Sequence, residues 1–177
     1  MYCGNNKTAL ASQRQIADAL LSLLAEQPYA SVSVSAICRR ANVSRQTFYS
    51  LFQSKENVIT FTLRNDCCYS GPVTAQDCRV TFRQVCGGFS RYIVRHADIL
   101  KVLEAHDLMP LFGAVLREDF AGCLSPEEPC AAVLRPYMIN YLAAGIASIA
   151  ETYVRAGTME SADELEEVIY RLLRGEY

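Results

Sequence analysis

The chain of 177 residues has only two histidines, His96 and His106, no tryptophan, and no two cysteines spaced C-x-x-C. Neither histidine belongs to an H-E-x-x-H pattern, so the usual ligand sets of structural zinc and of zinc hydrolases are missing. No nucleophile or acid-base pair stands in a catalytic pattern either. The expectation is a protein that is not an enzyme, with no catalytic residue, no metal and no cofactor. The sequence lacks a run of about 18 uninterrupted apolar residues, which a membrane span needs. The first ten residues, MYCGNNKTAL, lack the basic-then-apolar layout of a secretory signal. A cytoplasmic location is expected, where the eight cysteines stay reduced instead of forming disulfides. Alternating strand segments and internal repeats are absent as well.

What is present favours a folded, all-helical protein. An apolar content of 51% with 20% charged residues lies outside the composition of disordered chains. The length suits one large domain or a small domain fused to a medium one. Charge is divided unevenly: residues 1–66 carry seven Lys and Arg against four acids, and the remainder carries ten against fifteen. A basic N-terminal third on an acidic body fits a two-part molecule of which the first part meets a polyanion.

Helical periodicity runs through nearly the whole sequence. Ile16, Leu20, Leu23 and Leu24 form one stripe of a helix that must stop near Pro28. Ser33 can cap a short helix whose inner face is Val34, Ile37, Cys38 and Ala41. Asn42 suits a left-handed turn, and Ser44 can cap the next helix, with Phe48, Leu51 and Phe52 on its apolar side. Ser54 opens a fourth helix carrying Val58, Ile59, Thr62 and Leu63. The spacing predicts a break at Ser70-Gly71-Pro72, giving domains at 8–66 and 74–177.

Past that break, Thr74 to Asp77 reads as a capping box before Cys78, Phe82, Val85, Cys86, Phe89 and Ile93. The pair Gly87 and Gly88 implies a bend or a close neighbour. Shorter helices are expected at 97–105 and 108–120. A long apolar helix then runs to Ala156, kinked at Pro136 or starting there, with Gly157 as its cap. Ser161 and Glu164 make a capping box ahead of Leu165, Val168, Ile169, Leu172 and Leu173.

The helices from Ser33 to Phe52 have the dimensions of a helix-turn-helix, whose second helix enters the major groove of DNA. Opposite Phe48, Leu51 and Phe52 fall Gln46, Thr47, Tyr49 and Ser50, whose side chains can reach base edges. Arg45 stands at the helix start, with Arg39, Arg40 and Lys55 nearby to neutralise phosphates. The same pattern also fits a solvated face on an ordinary helical hairpin.

The run SVSVSAICRRANVSRQTFYSLFQSKENVI resembles the helix-turn-helix of TetR-type (TetR/AcrR family) transcriptional regulators. Ser33, Val34, Ile37, Ala41, Val43, Ser44, Thr47, Tyr49, Phe52, Lys55 and Glu56 match that pattern by type. The resemblance covers about residues 8–66 and implies a three-helix DNA-binding domain followed by a helical regulatory and dimerisation domain. It implies DNA contacts at Thr47 and Tyr49, a phosphate held by Lys55, and Ser33 capping near the DNA backbone. Ser33, Ser44, Arg45, Gln46, Thr47, Tyr49, Ser50 and Lys55 are the candidate DNA-binding set. Two departures stand out: Asn42 replaces the usual turn glycine, and Leu51 replaces a frequent histidine.

The second part resembles the family less specifically, through Tyr137 to Ile146, Tyr153, Gly157 and the S-x-x-E-L box. The resemblance implies a homodimer on a palindromic duplex operator, a repressor controlled by a small apolar ligand or a protein partner. Ile146, Ile149, Tyr153, Val168, Leu172 and Leu173 are the candidate dimer interface. Phe82, Cys86, Phe89, Tyr92, His96, Leu103, Phe112, Tyr137 and Tyr141 are the candidate ligand pocket, and the same residues equally make a core. Two other readings stay open: a helical interaction protein whose helix-turn-helix no longer reads DNA, and a thiol-based redox sensor using Cys67, Cys68, Cys78 and Cys86.

Overall fold

The computed structural model describes residues 7–65, 82–123, 129–157 and 161–176. These residues are helical, with no strand among them. The chain divides into two compact units, residues 1–66 and 67–177. The expected break at Ser70-Gly71-Pro72, the Thr74 to Asp77 box, and Cys67, Cys68 and Cys78 lie outside the described residues.

In the first unit, α1 (Lys7–Leu24) buries its stripe of Ile16, Leu20, Leu23 and Leu24. Pro28, which cannot donate a backbone bond, precedes a 3-10 turn at Tyr29–Ser31. α2 (Val34–Arg40) and α3 (Arg45–Leu51) each start on a serine. The Ser33 hydroxyl accepts from the Ala36 amide at 3.1 Å, and the Ser44 hydroxyl accepts from the Thr47 amide at 2.9 Å. Between them Asn42 takes φ 53, and the Val43 amide reaches back to the Cys38 carbonyl at 3.0 Å. α4 (Lys55–Asn65) adds a fourth helix, and Ile16, Ile37, Phe48, Phe52 and Val58 fill the centre.

The second unit contains α5 (Phe82–Arg95), α6 (Ala97–Ala105), α7 (Met109–Cys123), α8 (Pro129–Ala156) and α9 (Ala162–Arg174). α8 starts at Pro129 and continues through Pro136, so that proline neither begins nor ends it. The Ser161–Glu164 capping box forms as expected, and Gly157 and Gly175 take the left-handed backbone that ends a helix. α9 packs along α5, and α7 along α8. The core collects Cys86, Phe89, Tyr92, Leu100, Leu103, Phe112, Ala143, Ile146 and Ile169.

The glycine at 87 has a close neighbour. A Cβ there would clash with a Glu166 carboxylate oxygen of α9. Glu166 is held by Arg83 at 3.1 Å, and Arg83 also binds Glu167 at 2.6 Å.

Candidate nucleic-acid interface

The short helix α3 is fixed from behind by Phe48 and Leu51, both buried, and Phe48 packs against Phe52 with ring centroids 6.1 Å apart. That anchoring leaves Arg45, Gln46, Tyr49 and Ser50 exposed on its other side. Tyr49 stands edge-on to Phe48 at 5.4 Å, so the inner ring steadies the outer one.

The hydroxyls on this face are not equivalent. Ser44 Oγ and Thr47 Oγ1 lie 2.8 Å apart and share one hydrogen bond. Ser50 Oγ donates to the Thr47 carbonyl at 2.8 Å. Thr47 and Ser50 therefore spend hydrogen-bonding capacity inside the helix, which leaves Gln46 and Tyr49 with the more available polar ends.

The cations also sort into two groups. Arg40 grips the Glu26 carboxylate at both oxygens, each at 2.8 Å, and donates to Ser22 Oγ at 2.6 Å. The bonded guanidinium holds the Glu26 carboxyl below its ordinary range. Arg39 and Arg45 are exposed and make no ion pair among the described residues. Arg45 and Arg39 are thus open to solvent, whereas Arg40 ties α2 to α1.

The ammonium of Lys55, the expected phosphate holder, is engaged within the domain. It donates to the Val32 carbonyl at 2.8 Å and to the Tyr29 carbonyl at 3.0 Å. It also lies over the Tyr29 ring, 4.1 Å from the centroid. Two of its three N–H donors are used, so it clamps the 3-10 turn to the start of α4. The Tyr29 hydroxyl donates to Glu56 Oε1. Burial, followed by that bond to a carboxylate, pushes the Tyr29 phenol up. Burial alone would raise the Glu56 carboxyl, but the bonds from Tyr29 and Ser54 hold it below its ordinary value. Spacing within the helix-turn-helix gave no sign of Tyr29, because it sits 26 residues before its partner Lys55.

Residues 16–60 match the family described as bacterial regulatory proteins, tetR family. The dhaKLM operon transcriptional activator DhaS of Lactococcus lactis is 37% identical over 62 residues, 35% of this chain and 33% of that protein. The match therefore spans about a third of that relative's length. The N-terminal unit is thus similar to the tetR family over residues 16–60. Over the whole chain the fold is similar to the crystal structure of Lin0861 from Listeria innocua, with a TM-score of 0.79 at 19% identity, covering 100% of this chain and 97% of that one. A structure of a dihydroxyacetone kinase operon activator DhaS gives 0.56 at 21% identity, over 93% and 95%.

The second unit attached to this TetR-type domain does not gather the nine expected pocket residues. Cys86, Phe89, Tyr92, Leu103 and Phe112 are buried together, with Tyr92 stacked on Phe112 at 5.8 Å and in contact with His96 at 4.5 Å. Phe82, Tyr137 and Tyr141 are exposed instead, because they lie on the outer sides of α5 and α8. Of the expected interface residues, Ile146 is fully buried among its own chain's helices and is corrected to a core position. Ile149, Tyr153 and Leu173 are half-buried, and Val168 and Leu172 are exposed.

Two described thiols bear on redox sensing. Cys38 and Cys86 are buried, and burial pushes both thiols up, Cys86 to about 11 with Glu166 adding to the effect. A thiol kept protonated and away from solvent is a poor sensor. No group of metal ligands occurs among the described residues, and no helix there is long and apolar enough to cross a membrane.

Proposed function

We propose that the chain is a DNA-binding transcriptional regulator that acts as a homodimer on two-fold related duplex half-sites. The observation that carries this reading is α3 itself. Its apolar side is buried in a TetR-type domain, and its other side presents Arg45, Gln46, Tyr49 and Ser50. Arg45 and Arg39 supply phosphate contacts, Gln46 and Tyr49 read base edges, and Ser44 with Thr47 sets the start of the reading helix. One such helix spans only a few base pairs, so two copies are needed for specific affinity.

The sign of regulation follows from where the operator lies relative to the promoter. The resemblance suggests repression, which a dimer achieves by occluding the promoter, while the relative DhaS is an activator with the same kind of domain. Control enters through the second unit. An apolar effector would act on the interior where Tyr92 and Phe112 stack, and a protein effector would act on the surface instead. The test is selection of duplexes from a random pool, followed by binding at graded salt. Log affinity should fall linearly with log salt, with a slope of several units for a dimer. No selected sequence, or a flat salt response, would favour an interaction protein that does not read DNA.

A further inference from the structure

Position around α3 decides which outward side chain reaches furthest from the core. At about 100° per residue, Gln46 falls about 170° from the centre of the buried pair Phe48 and Leu51. Tyr49 and Ser50 fall about 130° from that centre on opposite sides, and Arg45 and Thr47 about 90° and 70°. Gln46 is therefore the apex of the face, and a helix laid in the major groove puts its apex nearest the base edges. The apex is also chemically open. Gln46 is exposed, and its amide has no hydrogen-bond partner among the described residues. Ser50, beside it, already donates to the Thr47 carbonyl at 2.8 Å and keeps only acceptor lone pairs.

We infer that Gln46 selects an adenine in each half-site by a two-point contact, in which its Oε1 accepts from the adenine amino group and its Nε2 donates to adenine N7. The inference rests on the DNA-reading proposal above and names the base that this face requires. An amide carries one acceptor and one donor side by side, and in the major groove adenine alone presents the matching donor and acceptor on a single base. Guanine presents two acceptors, O6 and N7, so Oε1 would face a lone pair. Cytosine presents one donor, and thymine one acceptor beside a methyl group, so each leaves one end of the amide unpaired. Such an end, held away from water at an interface, weakens binding.

The neighbours do not compete for this choice. Ser50, as an acceptor alone, cannot tell the amino group of adenine from that of cytosine. Ser44 and Thr47 are bonded to each other at 2.8 Å. Arg45 stands about 100° round the helix from Gln46, toward the wall of the groove where phosphates lie. Tyr49, edge-on to Phe48 at 5.4 Å, offers a single hydroxyl and a ring edge, which do not make a paired donor and acceptor. Gln46 carries no charge, so it acts on base choice and not on the counterion release that governs salt dependence.

The test uses the full chain and the duplex it selects from a random pool. Each adenine of that duplex is replaced in turn, in both half-sites, by 7-deazaadenine, which lacks N7, or by purine, which lacks the amino group. Affinity is read by fluorescence anisotropy. At one A·T pair per half-site, either replacement should weaken the wild type about tenfold and leave Gln46→Ala unaffected. Gln46→Ala should keep the wild-type slope of log affinity against log salt. Gln46→Arg should prefer guanine at the same pair, because arginine contacts O6 and N7 together. No selected duplex would overturn the DNA reading and this inference with it. A selected duplex in which no adenine couples to residue 46, or in which wild-type residue 46 couples to a G·C pair, would overturn the inference alone. A lowered salt slope for Gln46→Ala would mark a phosphate contact and overturn it too.

Discussion

Lys55 reaches across 26 residues of sequence to rest on the ring of Tyr29 while donating to the Tyr29 carbonyl. Its charge therefore acts first inside the domain. Lys55→Met should lower the stability of the N-terminal unit by about 1 to 3 kcal/mol, because two carbonyls lose a charged donor. Urea unfolding followed by far-ultraviolet dichroism reads this. Unchanged stability with a reduced salt slope of DNA binding would mean that Lys55 serves the phosphates alone.

The bond from Tyr29 to Glu56 predicts a pH signature. The Glu56 carboxyl is held below its ordinary value in the fold. Its stabilisation is therefore complete above about pH 4.3 and is lost as pH falls through the lower folded value. The Tyr29 phenol is raised, so its contribution is complete below about pH 10 and is lost as pH rises further. Glu56→Gln should flatten the acid side of the melting temperature against pH, and Tyr29→Phe should flatten both sides. Parallel profiles for wild type and variants would refute the assignment.

The arginines should separate by salt dependence. Arg39→Ala and Arg45→Ala should each reduce the slope of log affinity against log salt by about one per half-site. Arg40→Ala should leave that slope alone and loosen α2 from α1, since its guanidinium is engaged by Glu26 and Ser22. Equal slopes lost at all three positions would contradict the sorting.

Within α3, Gln46→Ala should relax sequence preference at a cost of about 1 to 3 kcal/mol on the preferred site. Ser44→Ala removes the cap and the bond to Thr47, and should cost about 1 kcal/mol of stability while weakening all sequences. Affinity profiling on a pool of single-base operator variants distinguishes the two outcomes.

Gly87 gives a prediction remote from DNA. Ala is favoured over Gly inside a helix by about 1 kcal/mol, but a methyl group at 87 would push the Glu166 carboxylate off its seat beside Arg83. Gly87→Ala should show little or no gain in the wild type and should gain about 1 kcal/mol in a Glu166→Ala background. A double-mutant cycle by urea unfolding checks the difference.

Local signals carried much of the fold. The serine caps at 33, 44 and 161, the left-handed turn at Asn42 and the stripes of α1 and α9 each depend on residues within a few positions, and those were legible. The pairing of Arg40 with Glu26 spans 14 residues and that of Arg83 with Glu166 spans 83, and no periodicity encodes such partners. α8 misled for another reason. A helix apolar on nearly every side does not declare which side its own domain buries, so Ile146 read as surface and Tyr137 and Tyr141 as interior. The exposed run of Val133, Leu134 and Met138 was open to view, on the side away from Ala143, Ile146 and Ala150, but only once the buried side was known.

The turn at Asn42 sets the direction of α3 through the backbone, by a left-handed φ of 53 and the amide of Val43 on the carbonyl of Cys38. The outward side chains at 45, 46 and 49 lie exposed on the other side of the helix from Phe48 and Leu51, which anchor it. On the proposed reading the letters can therefore be rewritten without moving the reading head: exchanging Gln46 and Tyr49 should change which operator is chosen, while the angle at which the helix is offered stays with the turn and with the buried Phe48 and Leu51 behind it.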